Sequence, residues 1–403
     1  MMRDFWTGAA ILLRILLGLA LTLGATDAAA AHSADAGLRL EKTVLLYRHG
    51  VRAPLEPEAA LDDLPHQPLP TWPVAPSLLT PHGGLALERI GAWRRAQFIR
   101  AGLWHQACPT AQDLAIWTNT AARTIASGAA LGRGLAPGCI VAVGHLPVDQ
   151  TDPLFEPLHI SRLPFEGDAA LRSIAQYTGG PAALAARHNA ALREMARVIG
   201  CARAAPPCDL AADAGRVALS ADGHDIALSG AIRKYSGTAQ VFLLEYLEGL
   251  PMEQVGWGRA SPASLRRLGT LHAALFDVYT RPPYMAARVA GPLAQRMAAI
   301  LHDPHAPKVS IFMGHDSNVS ALAALLGVKI AAKGYAAGDP PPGGALAIEV
   351  LRDASGRRWA QTYFEAAEPD QIRQLARLTG GQQPHHRRLI LPDLPPERSL
   401  ILM

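Results

Sequence analysis

Three times along the 403 residues a short apolar run stops at a polar loop, and a segment of helical spacing follows. Thr43-Val44-Leu45-Leu46-Tyr47 stops at Arg48-His49-Gly50, Leu114-Ala115-Ile116-Trp117 at Thr118-Asn119-Thr120, and Val309-Ser310-Ile311-Phe312-Met313 at Gly314-His315-Asp316-Ser317-Asn318. Continuous apolar runs of this length suit strands buried on both faces, and strands alternating with helices build a mostly parallel sheet flanked by helices. The expected fold class is therefore α/β, with polar chemistry at the C-terminal ends of the strands, where open α/β sheets bind ligands. Arg123 falls in the first turn of the helix expected from about Ala121 to Leu135, which Pro137-Gly138 ends. Residues 55 to 82 read as an irregular excursion. From about Asp168 to His302 the pattern is mainly helical, so the expected organisation is an α/β core of residues 40–160 and 303–403 interrupted by a helical insertion, 161–302.

With 49% hydrophobic residues the chain can bury a large core, and its net charge of +4 comes from scattered residues rather than a basic run. No nucleic-acid partner is expected. Arg3, an apolar stretch from about Ala9 to Leu23, and the small residues Ala28-Ala29-Ala30-Ala31 read as a secretory signal peptide, residues 1–31, with Ala36 as another cleavage point. The competing reading is an uncleaved anchor; no second run reaches spanning length, so no membrane contact is expected after cleavage. Export to the periplasm or beyond places the four cysteines in an oxidising compartment, where disulfides are the ordinary outcome. Of the three possible pairings, Cys201 and Cys208 can close a small loop around Pro206-Pro207, which leaves Cys108 with Cys139. Nothing in the pattern specifies an oligomeric state.

In Arg48-His49-Gly50-Val51-Arg52-Ala53-Pro54 two guanidiniums bracket an imidazole at a strand end, and guanidinium forks match phosphate oxygens as ammonium groups do not. The pattern Arg-His-Gly-x-Arg-x-Pro arises by chance in about one chain per thousand of this length. The plain alternative is two surface ion pairs and a core histidine. Gly223-His224-Asp225 repeats the tripeptide of Gly314-His315-Asp316 without a preceding strand, so His224 is read as a loop residue. His302 with His305, and His385 with His386, lack carboxylate or cysteine companions and are read as surface loops rather than metal ligands.

The segment from Arg48 to Pro54, with Gly134-Leu135-Ala136-Pro137, Asp152-Pro153-Leu154-Phe155, Gly249-Leu250-Pro251, Gly256-Trp257-Gly258, Gly314 to Asn318 and Pro341-Pro342-Gly343-Gly344, resembles the histidine acid phosphatase family. The likeness is closer to its bacterial periplasmic phytases and glucose-1-phosphatases. It implies a phosphoglycerate-mutase-like sheet with an inserted helical subdomain, and the Cys108/Cys139 pair is similar to a disulfide of the same branch. It also implies that His49 is the nucleophile forming a phosphohistidine, that Arg48, Arg52, Arg123 and His315 bind the phosphoryl group, and that Asp316 protonates the leaving oxygen. At an effective dielectric of about 20 and about 4 Å each cation–anion contact is worth roughly 4 kcal/mol before desolvation. No metal or other cofactor is then required.

Substrate choice is expected from Leu55, Glu56 and Glu248. Phytases of this branch carry Thr-Lys where this chain has Leu55-Glu56; a lysine there would attract extra phosphates and Glu56 would repel them. Leu55 and the run Glu248-Gly249-Leu250-Pro251-Met252-Glu253-Gln254-Val255 resemble the glucose-1-phosphatases, although Gly50 follows the nucleophile as in phytases. The reading is a phosphomonoester hydrolase acting on a small-molecule ester, a sugar phosphate such as glucose 1-phosphate or a broad set of small esters. The alternatives are a phytase acting on inositol hexakisphosphate, a phosphoglycerate-mutase-like phosphotransferase, and a non-catalytic periplasmic phosphate-ester-binding protein.

Overall fold

Lys42 to Arg48, the last seven residues of the strand Arg39–Arg48 (β1), are all buried, which is what an unbroken apolar, β-branched run requires of a central strand. The computed structural model describes residues 37–58, 68–160, 165–201 and 208–391 and the backbone of 401–402; the signal peptide expected over 1–31 lies outside them. The remaining strands are β2 (Leu114–Thr118), β3 (Val143–Gly144), β4 (Val217–Leu219), β5 (Ile226–Leu228), β6 (Val309–Gly314), β7 (Ala345–Arg352), β8 (Arg358–Ala366), β9 (His385–Leu389) and β10 (Ile401–Leu402). An eight-stranded sheet runs β10-β8-β7-β1-β6-β2-β3, with β9 also on β8, and β4-β5 is a separate hairpin.

The pairs β1–β6, β6–β2 and β2–β3 are parallel. The three strands read from the sequence therefore lie side by side, and their polar loops leave one edge of the sheet. Beyond β1 the sheet continues as antiparallel β7 and β8, which the sequence reading did not identify. Helices flank this mixed sheet: α1 (Pro81–Arg100), α2 (Ala122–Leu135), α3 (Gly167–Thr178), α4 (Pro181–Arg187), α5 (Asn189–Ile199), α6 (Ala231–Leu247), α7 (Pro262–Tyr279), α8 (Pro283–His302), α9 (Asp316–Leu325) and α10 (Pro369–Arg373).

Local signals account for the helix starts nearest the motif. Thr80 caps α1 by accepting from Gly83 N, with Pro81 in the first turn, the arrangement that satisfies free N–H groups and presets φ. A Cβ at Gly83 would lie 2.2 Å from Val51 O, so only glycine lets α1 sit against the loop that follows His49. At α2 the expected cap is displaced by one step: Ala121 is the N-cap and has no side-chain bond. Asn119 Oδ1 instead accepts from Ala121 N at 3.0 Å.

One apolar core joins sheet and helices, from Leu46, Ile311 and Leu346 through Leu192, Phe242, Leu268 and Met297. A smaller cluster, including Ile174, Leu184, Ile226, Ala274 and Met285, packs α3, α4, α7 and α8 around β5. Residues between 165 and 302 thus share the main core. His224 is exposed in the β4–β5 turn, whereas His385 and His386 lie in β9, not in a loop; His386 stacks on Tyr363 with ring centroids 4.5 Å apart.

Cys108 is bonded to Cys139 and Cys201 to Cys208, across separations of 31 and 7 residues. On the chain-entropy relation these closures stabilise by roughly 3–4 and roughly 2 kcal/mol. Replacing Cys108 and Cys139 together by serine should therefore lower the urea midpoint more than the same change at Cys201 and Cys208, with the slope of each transition giving the check on two-state behaviour.

Candidate active site

The motif loop is tied to both neighbouring strands by backbone bonds. His49 N–H donates to Gly314 O at 2.9 Å, Arg48 N–H to Gly344 O at 2.9 Å, and Asn119 N–H to Met313 O at 3.0 Å. The first and third bonds continue the β1–β6–β2 register past the strand ends and set residues 48–50, 119–123 and 314–316 beside one another, and the second ties Arg48 to the residue before β7. The quoted segment Pro341-Pro342-Gly343-Gly344 closes the same corner, with Gly343 N–H on His49 O at 3.1 Å.

His49 is buried and its Nδ1 lies 2.9 Å from Gly50 O. A carbonyl only accepts, so Nδ1 carries the proton and Nε2 keeps its lone pair. Burial, then the charges of Arg48 and Arg52, with His315 and Arg123 adding, push the imidazole pKa well below its ordinary value. The ring centroid of His315 is 5.5 Å away. Its Nε2 donates to Asn119 Oδ1 at 3.1 Å and its Nδ1 receives Arg123 Nη2 at 3.4 Å. Burial, with Arg123 next, brings its pKa down to about 3. Both nitrogens of this neutral ring are engaged within the protein, so donation to a ligand requires one of these contacts to give way; as placed, His315 orients Arg123.

Arg48 is fully buried. Its Nη1 donates to Pro340 O at 2.6 Å, and its Nη2 reaches Gln240 Oε1 and Asp316 Oδ2, each at 2.9 Å. Arg52 is held end-on by Glu58, through Nη1–Oε2 at 2.8 Å and Nη2–Oε1 at 2.5 Å. Among the described residues the Nε–H of Arg48, of Arg52 and of Arg123 is in each case buried without a partner. Buried donors left open cost free energy. Three such donors on cations around one imidazole mark a place for an anion.

Burial alone would raise the Asp316 carboxyl, but Arg48, followed by His272, His49 and His315, holds it well below the usual carboxylate range. Behind it stand residues that the sequence reading missed. His272, on α7, places Nδ1 2.8 Å from Asp339 Oδ1 and Nε2 3.7 Å from Asp316 Oδ2. Gln240, on α6, donates to Asp339 Oδ2 at 3.2 Å. Asp339 lies two residues before the segment Pro341-Pro342-Gly343-Gly344, a signal within reach of the sequence; Gln240 and His272 are single polar residues on helices whose other buried positions are mostly apolar, and carry none.

The expected specificity residues fall differently. Leu55 is half-buried and contributes its N–H to Glu58 Oε2 at 2.8 Å. Glu56 is exposed; the carboxylate that engages the motif is Glu58. Glu248 accepts from Thr80 Oγ1 at 2.6 Å, and burial raises its pKa to about 7 despite that bond. It is tied to the cap of α1 rather than to the His49–Asp316 cluster.

Residues 39–186 match the family model "Histidine phosphatase superfamily (branch 2)". The chain is 30% identical over 400 residues to phytase AppA of Escherichia coli, covering 93% of this chain and 91% of that one. The chain belongs to the branch 2 histidine phosphatases. A glucose-1-phosphatase of Providencia rettgeri is 25% identical over 394 residues, covering 94% of this chain and 92% of the relative. The Hafnia alvei phytase solved with myo-inositol hexakis sulphate superposes with a TM-score of 0.83 at 30% identity, covering 91% of this chain and 95% of that structure. As a histidine acid phosphatase, this protein hydrolyses phosphomonoesters.

The His49 environment has a measurable consequence. A histidine with its pKa depressed stays neutral as the pH falls through 6.5, the ordinary value. In a pH profile of kcat/KM for p-nitrophenyl phosphate, corrected for ionisation of the substrate, no loss centred near 6.5 should appear on the acid side. A group titrating there in the free enzyme would contradict the neutral imidazole.

Proposed function

We propose that this phosphatase works by transferring the phosphoryl group of a small ester to His49 Nε2 and then to water. The observation that carries the reading is the neutral His49, with Nδ1 held by Gly50 O, amid the three unpartnered guanidinium Nε–H groups of Arg48, Arg52 and Arg123. The lone pair on Nε2 attacks phosphorus, the ester P–O bond breaks, and Asp316 supplies the proton to the leaving oxygen. Water then attacks the phosphohistidine, Asp316 takes its proton, and inorganic phosphate and His49 are released. The guanidiniums favour the more charged transition state from fixed positions.

Asp316 is ionised in the unliganded site, so its catalytic proton must arrive with the substrate. A phosphate dianion placed among these groups raises the Asp316 pKa, and a monoanionic ester brings a proton with it. Both routes favour acidic pH. Activity that rose steadily from pH 4 to 9 would rule out Asp316 as the proton donor.

For the ester, the reading favoured is a mono-phosphorylated sugar such as glucose 1-phosphate, or a broad set of small esters. Its support is Leu55, the segment 248–255 and the lack of a lysine after Pro54, together with the glucose-1-phosphatase among the relatives. The phytase relatives favour inositol hexakisphosphate as the second reading. Two disulfides support a periplasmic or secreted location, and no described helix is long and apolar enough to cross a membrane.

Two substitutions test the chemistry. His49→Ala should abolish turnover of glucose 1-phosphate, inositol hexakisphosphate and p-nitrophenyl phosphate together; survival of one activity would show a second site. Asp316→Asn should lower kcat/KM for glucose 1-phosphate by about 10²–10⁴-fold, the usual range for a lost general acid. It should affect kcat/KM for p-nitrophenyl phosphate much less, because that leaving group departs without a proton; kcat also contains the hydrolysis of the phosphohistidine, which is common to both esters. Equal losses on the two esters would assign Asp316 to binding instead.

A further inference from the structure

Protein acceptors take up two edges of the Arg52 guanidinium and leave the third open. Glu58 occupies the end-on fork of its guanidinium, and the second proton of Nη1 goes to Ala53 O at 3.1 Å. That leaves the Nε–H, buried and unpartnered, and the second Nη2 proton on the same edge of the plane. Those two donors form the other fork of the guanidinium, suited to two oxygens of one phosphoryl group.

Glu58 is itself firmly placed. Its Oε2 also accepts from Leu55 N, its side chain is 14% exposed, and its carbonyl rests against α6, where a Cβ at Gly237 would lie 2.1 Å from Glu58 O. Burial would raise its pKa, but the bonds and charge of Arg52 bring the net shift below the ordinary carboxylate value. It therefore remains charged in mildly acid solution. Its field is felt by Arg123 and by His272 across the site.

Around His49 the guanidiniums of Arg48, Arg52 and Arg123 stand against the carboxylates of Asp316, Asp339 and Glu58. The stretch after the motif does not alter that balance in favour of anions. From Ala53 to Leu87 the sequence holds Glu56, Glu58, Asp62 and Asp63 and neither lysine nor arginine. A single phosphoryl group meets open donors at this site; a second one on the same molecule, near the first, meets Glu58.

Building on the mono-phosphoryl reading above, we infer that Glu58 is the specificity-determining carboxylate of this site: it presents the free fork of Arg52 to one phosphoryl group and disfavours esters that carry further phosphates. A hydroxylated leaving group suffers no such penalty and can donate hydrogen bonds to the same carboxylate.

The test compares wild type, Glu58→Gln and Glu58→Asp on glucose 1-phosphate and myo-inositol hexakisphosphate at about pH 5 and at low and high salt. One unit charge removed from a partly desolvated position near the extra phosphates is worth on the order of tenfold. Glu58→Gln should raise the ratio of kcat/KM for hexakisphosphate over glucose 1-phosphate by about that factor, through KM for hexakisphosphate, and the gain should shrink at high salt. Glu58→Asp, which keeps the charge, should hold the ratio close to wild type. An unchanged ratio in Glu58→Gln, or proportionate losses on both substrates, would overturn the inference and leave Glu58 as a support for Arg52 alone. The substrate reading stands or falls separately, on which ester wild type prefers; the variant-to-wild-type comparison measures the effect of Glu58 in either case.

Discussion

Arg48 is the group on which the site depends. Its guanidinium is removed from water entirely, a state that costs several kcal/mol unless charge and hydrogen bonds replace the lost hydration. Its acceptors come from distant parts of the chain: Gln240 on α6, Asp316 at the start of α9, and Pro340, with Asp339 at 4.0 Å. This one side chain thus draws the helical stretch and the C-terminal stretch onto the end of β1. Loss of Arg48 would leave Asp316 and Asp339 as buried carboxylates with His272 between them, a costlier state than loss of any one hydrogen bond. The same ion pair that fixes the architecture keeps Asp316 ionised, so folding and the charge state of this carboxylate draw on one interaction.

The backbone register explains why the chemistry sits where it does. Arg48 pairs with Gly314 and Thr118 with Met313, so the residues one step beyond are delivered to a common edge without any further design. Residues separated by more than 250 positions become neighbours through two parallel strand pairs. The antiparallel extension through β7 also serves the site, because the turn leading into it supplies Asp339, Pro340 and Gly343.

Much of this was legible in the sequence. Strands β1, β2 and β6 could be read because each is a short apolar run broken by a polar loop; His49, His315 and Asp316 lie directly after β1 and β6, and Arg123 lies in the first turn of the helix after β2. β7 and β8 were not identified: β7 runs on through Glu349 to Arg352 into a hairpin, without the polar loop and following helix that mark the other three, and in β8 Arg358, Gln361, Thr362 and Glu365 interrupt any apolar run. Gln240 and His272 were illegible for a different reason. Each is one polar residue on a helix whose other buried positions are mostly apolar, and only the approach of α6 and α7 to Arg48 and Asp339 gives it a role. Glu56 attracted attention because it stands next to Leu55 in a familiar position. The turn over Glu56–Glu58 instead brings the carboxylate of Glu58, two residues later, onto Arg52, and that turn packs against Gly237, far away in sequence.

A guanidinium has two forks, and the distinction matters for what a motif can specify. Arg-His-Gly-x-Arg guarantees two cations beside an imidazole, but it does not say which edge of each is available. Here Arg48 has its outer nitrogens on protein acceptors, and Arg52 has its end-on fork on Glu58. Both retain an open Nε–H. The protein partners therefore turn two general-purpose cations into donors of fixed direction. They also cancel much of the long-range positive potential that would draw a polyanion. Attraction at short range with little field at long range suits the single phosphoryl group of the proposed substrate, and it arises from the carboxylates around the motif rather than from the motif itself.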